Sequence, residues 1–369
     1  MKVFDVVDSL GPAKVIHLHE PSVGLKGIVV VDNTAAGPAI GGVRMAADAS
    51  LEECLRLARA MSLKNAAAGL AHGGGKSVLI ADPKLPRDRK EELIRAMACA
   101  VADCRDYIIG PDMGTDETCM GWVHDEIGRA VGLPRELGGI PLDEIGATGW
   151  GVRHSVEVAA EHADLELEGA RVVIQGYGNV GRPAARFLSE LGCVVVAAAD
   201  SGGAIHAAGG LDLDQLDALK AEGRSVAELN DAKPVSAEEL IGVDCEIWIP
   251  AARPDVIRAD NADQIRARLI ASGANIATTP EAERRLHERG IINVPDFIAN
   301  AGGVICAAME YHGSTQGAVF DEIAERISSN THLVLERSKN SGCIPRDAAE
   351  QLSVERIRRA MDTRRWSIF

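Results

Sequence analysis

The run Arg171-Val172-Val173-Ile174-Gln175-Gly176-Tyr177-Gly178-Asn179-Val180-Gly181 constrains the fold more than any other stretch of the 369 residues. Its first five residues read as a buried strand; the next six carry glycines at G-x-G-x-x-G spacing and lead into a helical segment, Arg182 to Leu191. Glycine turns with that spacing are common, so the context has to carry the reading. Here a second apolar strand follows, Val194–Ala199, and it ends at Asp200. Strand, glycine turn, helix and strand form a crossover between parallel strands. Further strand-like runs at 246–250, 269–271 and 291–294, with helices between them, extend this into a doubly wound parallel sheet. The glycines permit a tight turn and let a pyrophosphate approach the free N–H groups of a helix N-terminus. An acidic residue closing the second strand binds the adenosine ribose hydroxyls and repels a 2′-phosphate. Gly176, Gly178, Asn179, Val180, Gly181 and Asp200 are therefore expected to hold NAD in preference to NADP.

At this length one hydrophobic core is unusual, and two domains are expected. The first third reads as a separate α/β unit. Residues 13–19 and 25–31 are strand-like, with Asp32-Asn33 as a turn, and 51–67 repeat apolar residues at helical spacing. A glycine loop, Gly73-Gly74-Gly75-Lys76, leads to a short strand, Ser77–Ile80. Residues 91–104 are helical and Tyr107–Ile109 a strand. The pattern changes near 145, which bounds a first domain (1–145) and a nucleotide-binding domain (146–329). The helical tail, from about 330 to 369, is expected to pack back on the first domain. Two domains joined in this way are expected to close on their ligands.

A net charge of −15 and 3% aromatics argue against nucleic acid. No run approaches the apolar length of a membrane span, and acidic residues interrupt the N-terminus where a secretory signal has its apolar core. Eight scattered cysteines fit a reducing cytoplasm, and neither they nor the ten histidines show metal-ligand spacing. No metal is expected.

A nucleotide domain supplies a hydride carrier, so the remaining chemistry falls to the first domain. That domain offers Gly41, Gly42, Lys64, Lys76 and Asp112 at element ends. Two lysines and an aspartate suit a substrate with a carboxylate to hold and a proton to move. Gly73 to Ser77 ends like a phosphate-binding loop, but the first glycine of that motif would fall at Leu70.

Over nearly its whole length the chain resembles the glutamate/leucine/phenylalanine/valine dehydrogenase family. The matching segments are Gly37–Met45, Met61–Asn65, Gly73–Lys76, Pro111–Thr115, Ala147–Gly149, the Gly176 turn and Asp296–Gly303. The resemblance implies that Lys64 binds the substrate α-carboxylate. It makes Lys76 the lysine that activates water for attack on the imino acid, and Asp112 the acid that moves protons to and from the amino group. It further implies that Gly41 and Gly42 shape the backbone beside the carboxylate. Thr148 and Asn300 would position the nicotinamide end and the substrate amine, with Ala251 and Asn275 also at the cofactor. A homo-oligomer acting on a small amino acid is implied as well.

Glutamate members of the family carry a lysine just before the paired glycines and a serine seven residues after the asparagine that matches Asn300. Here those positions are Ile40 and Ala307. An uncompensated carboxylate in an apolar pocket is costly, so an apolar substrate is expected: leucine, valine, isoleucine or phenylalanine. Gly110, two residues before Asp112, is expected to enlarge the side-chain pocket by one methyl, or merely to end a strand. Residues 272–277 depart from the family pattern, and 311–317 have no clear match in it. Alternatives are an unusual amino acid or amine substrate, a different nicotinamide-linked reductase, and a non-catalytic sensor.

Overall fold

The structure is a computed structural model and describes residues 3–363. It comprises two compact units. The first takes Met1–Leu142, Val304–Val319 and the chain from Glu350; the second takes Asp143–Gly303 and Phe320–Ala349. The tail is thus shared, where the sequence reading placed all of it from about 330 on the first domain. A polar-faced helical pattern does not say which unit its apolar face meets.

In the first unit the elements run β1 (Lys14–Glu20), β2 (Leu25–Asn33), β3 (Ala39–Ala46), α1 (Leu51–Ala67), β4 (Gly73–Ile80), α2 (Arg87–Ala100), β5 (Tyr107–Pro111) and α3 (Glu117–Ile127). The sheet order is β1-β2-β4-β3-β5. β3 pairs parallel with β4 and β5, and β2 pairs antiparallel with β1 and β4. One sheet face packs on α2 and α3 through Val29, Val43, Met45, Leu79, Ile94, Met97 and Met120. The other packs on α1 through Ile28, Val30, Val78, Cys54 and Ala58. α1 begins where Ser50 accepts from the Glu53 N–H, a side-chain cap on an otherwise orphan donor.

Pattern reading misses β3, since Gly41 and Gly42 interrupt its alternation, and it mistakes Asp32-Asn33 for a turn. β2 runs through both residues, and Asp32 is buried there against Arg59 (2.9 Å) and Ser62 (2.6 Å).

The second unit holds α4 (Ala147–His162), β6 (Arg171–Gln175), α5 (Gly181–Ser189), β7 (Val194–Asp200), β8 (Gly203–His206), α6 (Leu213–Ala221), β9 (Lys233–Val235), α7 (Ala237–Ile241), β10 (Ile247–Pro250), β11 (Leu269–Ala271), α8 (Pro280–Glu288), β12 (Ile292–Val294) and α9 (Asp296–Ala299). The last helices, α10 (Gly302–Tyr311), α11 (Gln316–Ser341) and α12 (Pro345–Thr363), are each divided between the units. The sheet order is β12-β11-β10-β6-β7-β8-β9, parallel from β12 to β7. β8 and β9 form an antiparallel edge absent from the sequence reading. They are four and three residues long, and Pro234 in β9 is tolerated because that strand is an edge. The strand order reverses between β6 and β10, the position where doubly wound sheets open a crevice at their carboxyl ends. No described helix is long and apolar enough to cross a membrane.

Candidate active site

The segment Gly73–Lys76, expected as a loop, lies inside β4 and is buried throughout. A Cβ placed on Gly73 would lie 1.7 Å from Asn33 O, on Gly74 2.0 Å from Ser62 N, and on Gly75 2.8 Å from Tyr107 Cε2. One on Gly41 would lie 1.7 Å from Gly75 O. These glycines bring protein against protein. They do not open space for a substrate beside Lys76.

Strand alternation then sorts the side chains. Val43 and Met45 of β3 face the α2/α3 core, so Ile40, Gly42 and Arg44 face the side of α1. In β4, Leu79 faces the α2/α3 core and Val78 the α1 side, which puts Gly74 and Lys76 with α1. Tyr107, wholly buried, ties the edge strand β5 to β3 and β4: its hydroxyl donates to Gly41 O and lies 3.0 Å from Ser77 Oγ. Lys64 is half-buried in the last turn of α1. Beside it, Asn65 donates to Gly73 O at 2.7 Å and holds that helix end against β4.

Lys76 is the centre of this half. Its side chain is 7% exposed, and Nζ lies 2.6 Å from Asp112 Oδ2, on a side chain 23% exposed. Arg44 Nε reaches the same oxygen at 3.1 Å, and its Nη1 lies 2.6 Å from Glu53 Oε1. Burial pushes the Asp112 carboxyl up. The charge and hydrogen bond of Lys76, the Met113 N–H and Arg44 outweigh it and hold the group below the usual carboxylate range. Thr115 fixes the turn: its hydroxyl accepts from Asp112 N at 3.0 Å and donates to Val43 O at 2.8 Å. A Cβ on Gly42 would lie 2.8 Å from Asp112 Cβ, so only glycine admits the aspartate there. The arrangement can hold an anion, exchange a proton over one hydrogen bond and keep bulk water from the amine.

Gly110 does not widen a pocket. Its missing methyl would sit 3.2 Å from Val131 Cγ2, so Val131 occupies that space. The loop carrying Val131 is pinned by Glu310, whose carboxylate accepts from the N–H groups of Gly132 (2.7 Å), Leu133 (3.1 Å) and Ile140 (2.7 Å). His312 meets His72 at 2.9 Å between Nε2 atoms, while His72 Nδ1 lies 3.0 Å from Pro38 O. His72 is thus a buried linker ahead of β4. Sequence reasoning missed Arg44, Tyr107 and Glu310. Arg44 was within reach, since it stands two residues after Gly42 and shares its face once β3 is recognised as a strand.

In the second unit the glycine turn follows β6 as expected. Gly176 has φ 106°, and its Cβ would strike Ala251 and Ala252. Gly181 packs the helix on the turn, a Cβ there lying 1.9 Å from Gly176 O. At Gly178 a Cβ would meet nothing within 4 Å. One glycine for the turn, one open and one for close helix packing is the set that a pyrophosphate needs. The residues present therefore fit a dinucleotide. Asn179 Nδ2 donates to Asp143 at 3.1 Å, and Val180 precedes α5 beside Gly273. Ala251 N donates to Gln175 O at 2.7 Å, which sets the end of β10 beside the end of β6. Asn300, buried, donates to Asn275 Oδ1 (2.9 Å) and Gly273 O (3.3 Å). Thr148 stands in the first turn of α4.

A two-unit fold with a lysine–aspartate pair in one unit and a dinucleotide turn in the other defines a class of nicotinamide-linked dehydrogenases. Residues 138–365 match the family described as Glutamate/Leucine/Phenylalanine/Valine dehydrogenase, and 12–129 match its dimerisation domain. The segment 311–317, expected to lack a clear family match, lies within the 138–365 span that the family model covers. The chain belongs to this family. It is 37% identical to an NADP(+)-dependent glutamate dehydrogenase of Pyrobaculum calidifontis, covering 92% of this chain and 87% of that one. It is 36% identical to an NAD-specific glutamate dehydrogenase of Staphylococcus aureus, covering 91% and 85%. Among solved structures it superposes on a hetero-hexameric glutamate dehydrogenase from Thermus thermophilus, in a Leu-bound form, with TM-score 0.84 at 31% identity, covering 97% and 91%. An L-tryptophan dehydrogenase from Nostoc punctiforme matches with TM-score 0.78 at 26% identity, covering 97% and 99%. The protein is an amino acid dehydrogenase that uses a nicotinamide cofactor.

Proposed function

We propose that the chain catalyses the reversible, NAD-linked oxidative deamination of an apolar L-amino acid (leucine, valine, isoleucine or phenylalanine) to the 2-oxo acid and ammonia. The observation that carries the substrate class is Ile40, 3% exposed on the sheet face that also bears Gly42 and Arg44, with Ala307 at the second position. Neither can pair with a side-chain carboxylate. The reading departs from the names of the glutamate dehydrogenase relatives at these two residues, and the structural likeness to an L-tryptophan dehydrogenase supports an apolar side chain.

Bound in the turn Gly176–Gly181 and at Asp200, the dinucleotide would supply the hydride acceptor. Lys64 holds the α-carboxylate and so fixes which α-hydrogen is presented. Once its own proton has passed to Asp112, Lys76 takes a proton from the water that adds to the imino carbon. Asp112, 2.6 Å from Lys76 Nζ, exchanges protons with the departing amino group. Both are general acid–base steps. The first unit is the substrate and assembly domain and the second the NAD domain, with Thr148, Ala251, Asn275 and Asn300 at its nicotinamide side. The dimerisation-domain match and the hetero-hexameric neighbour support an oligomer, which in this chain is a homo-oligomer. NADH formation from a panel of L-amino acids, repeated with NADP, tests the reading. Turnover should centre on the apolar side chains; strong turnover of glutamate overturns it.

A further inference from the structure

Asp200 closes β7 where the adenosine ribose is expected, yet its carboxylate is already engaged. Oδ1 accepts from Ser225 Oγ at 2.6 Å and Gly202 N at 2.9 Å; Oδ2 accepts from Lys220 Nζ at 2.7 Å and Val226 N at 3.0 Å. The side chain is 8% exposed. An ionised carboxylate offers about four lone-pair sites, and four donors occupy them here. Burial pushes the carboxyl up, and these partners, Lys220 first among them, bring it down to about 2. It is therefore ionised at any working pH, with its charge cancelled locally. Lys220 stands in the last turn of α6, and Ser225 caps the short turn Val226–Glu228, so both come from the segment after the acidic residue. Of the other charges nearby, Arg224 is taken up by Glu222 and Glu228.

An acid at this position selects NAD in two ways: its free lone pairs receive the ribose hydroxyls, and its charge repels a 2′-phosphate. Lys220 weakens both. We propose that Lys220 determines dinucleotide specificity in this chain: paired with Asp200, it removes most of the discrimination against a 2′-phosphate, so that NADP binds within about tenfold of NAD. This rests on the NAD reading above and refines it, moving the choice between the two dinucleotides from Asp200 alone to the Asp200–Lys220 pair.

The test is equilibrium binding of NADH and NADPH to the full-length protein, read by nicotinamide fluorescence without turnover. Wild type should show a Kd ratio, NADPH over NADH, below about ten. In Lys220→Gln the bared carboxylate faces the phosphate, and the ratio should rise at least tenfold, less so at high salt. Lys220→Arg, which keeps the charge, should retain the wild-type ratio. Asp200→Asn leaves the lysine unpaired and should lower the ratio at least threefold; this second variant decides the matter where Lys220→Gln fails to fold. Both dinucleotides bound with a ratio unchanged across these variants overturns the proposal alone. A wild type that binds neither overturns it together with the cofactor reading beneath it.

Discussion

Replacing Gly41 by alanine separates two accounts of the glycines around Lys76. If they open space for a substrate, Gly41→Ala leaves the fold intact and raises KM. The structure says otherwise, since the new Cβ would lie 1.7 Å from Gly75 O, where ordinary contact begins at 3.4 Å. The obstacle is backbone of the paired strand β4, which no rotamer change can move aside, so β3 and β4 must part by about 1.7 Å against a normal spacing of about 4.8 Å. Overpacking typically costs about 1–3 kcal/mol, and a clash between backbones belongs at or above the top of that range. For a unit of about 180 residues, about 3 kcal/mol lowers the melting temperature by roughly 6–12 °C. Differential scanning calorimetry of the purified variant measures this directly. Gly178→Ala is the control: with nothing within 4 Å of its Cβ, melting should stay within about 2 °C of wild type, while NADH affinity falls at least tenfold. A Gly41→Ala protein melting within 1 °C of wild type, with only KM altered, would refute the packing account.

Arg44→Met should raise the Asp112 pKa, because it removes one of the cations holding that carboxyl low; the acid limb of the kcat/KM profile then moves to higher pH, and Arg44→Lys restores part of the shift. An unmoved limb would leave Arg44 outside the chemistry. Gly110→Ala asks Val131 Cγ2 to yield a few tenths of an ångström, so its stability cost should stay below about 1.5 kcal/mol and the ratio of phenylalanine to leucine turnover should change less than about threefold. The folded pKa of Asp200, about 2, lies below its ordinary 3.8, so its contribution of about 2 kcal/mol is complete above about pH 4 and is lost as pH falls towards 2. Urea unfolding of Asp200→Asn should show that deficit at pH 7 and a smaller one at pH 3; equal deficits at the two pH values would count against the ion pair.

The second unit was legible because its signals are local. A β-branched strand, a glycine turn and an amphipathic helix are each written in consecutive residues, and α4 and β6 fall where the sequence placed them. What failed depends on contacts between distant segments. Gly73 to Gly75 read as a loop because a glycine run carries no strand pattern; it is a strand because β2, α1 and Tyr107 crowd it from three sides. Gly110 read as space because nothing in the sequence announces Val131. Asp200 read as a bare acid because Lys220 and Ser225 lie twenty and twenty-five residues further along the chain, brought back by α6. Glycine has one sequence meaning and at least two physical ones. At Gly178 it leaves room, and at Gly41 it lets backbone meet backbone.

The charges around Lys76 bear on the substrate. Lys76 and Arg44 are matched by Asp112 and Glu53 at 2.6–3.1 Å, so this cluster of four is neutral within itself. A substrate α-carboxylate then draws on Lys64, the role its family match implies. A second carboxylate, at the end of a glutamate side chain, would need a cation beyond these, and the two positions that serve it in glutamate members are Ile40 and Ala307 here. Leaving an ionised group buried without a partner costs several kcal/mol, whereas a methylene-sized misfit in an apolar pocket costs about 1–3 kcal/mol. The proposed specificity is therefore uneven by physical necessity. Discrimination against glutamate should be steep and should rest on those two residues, while discrimination among leucine, valine and phenylalanine should be shallow and spread over the pocket wall. A steep preference among the apolar amino acids would require a rigid shape constraint. The Val131 loop, which Glu310 pins through three backbone N–H groups, has the rigidity such a constraint needs.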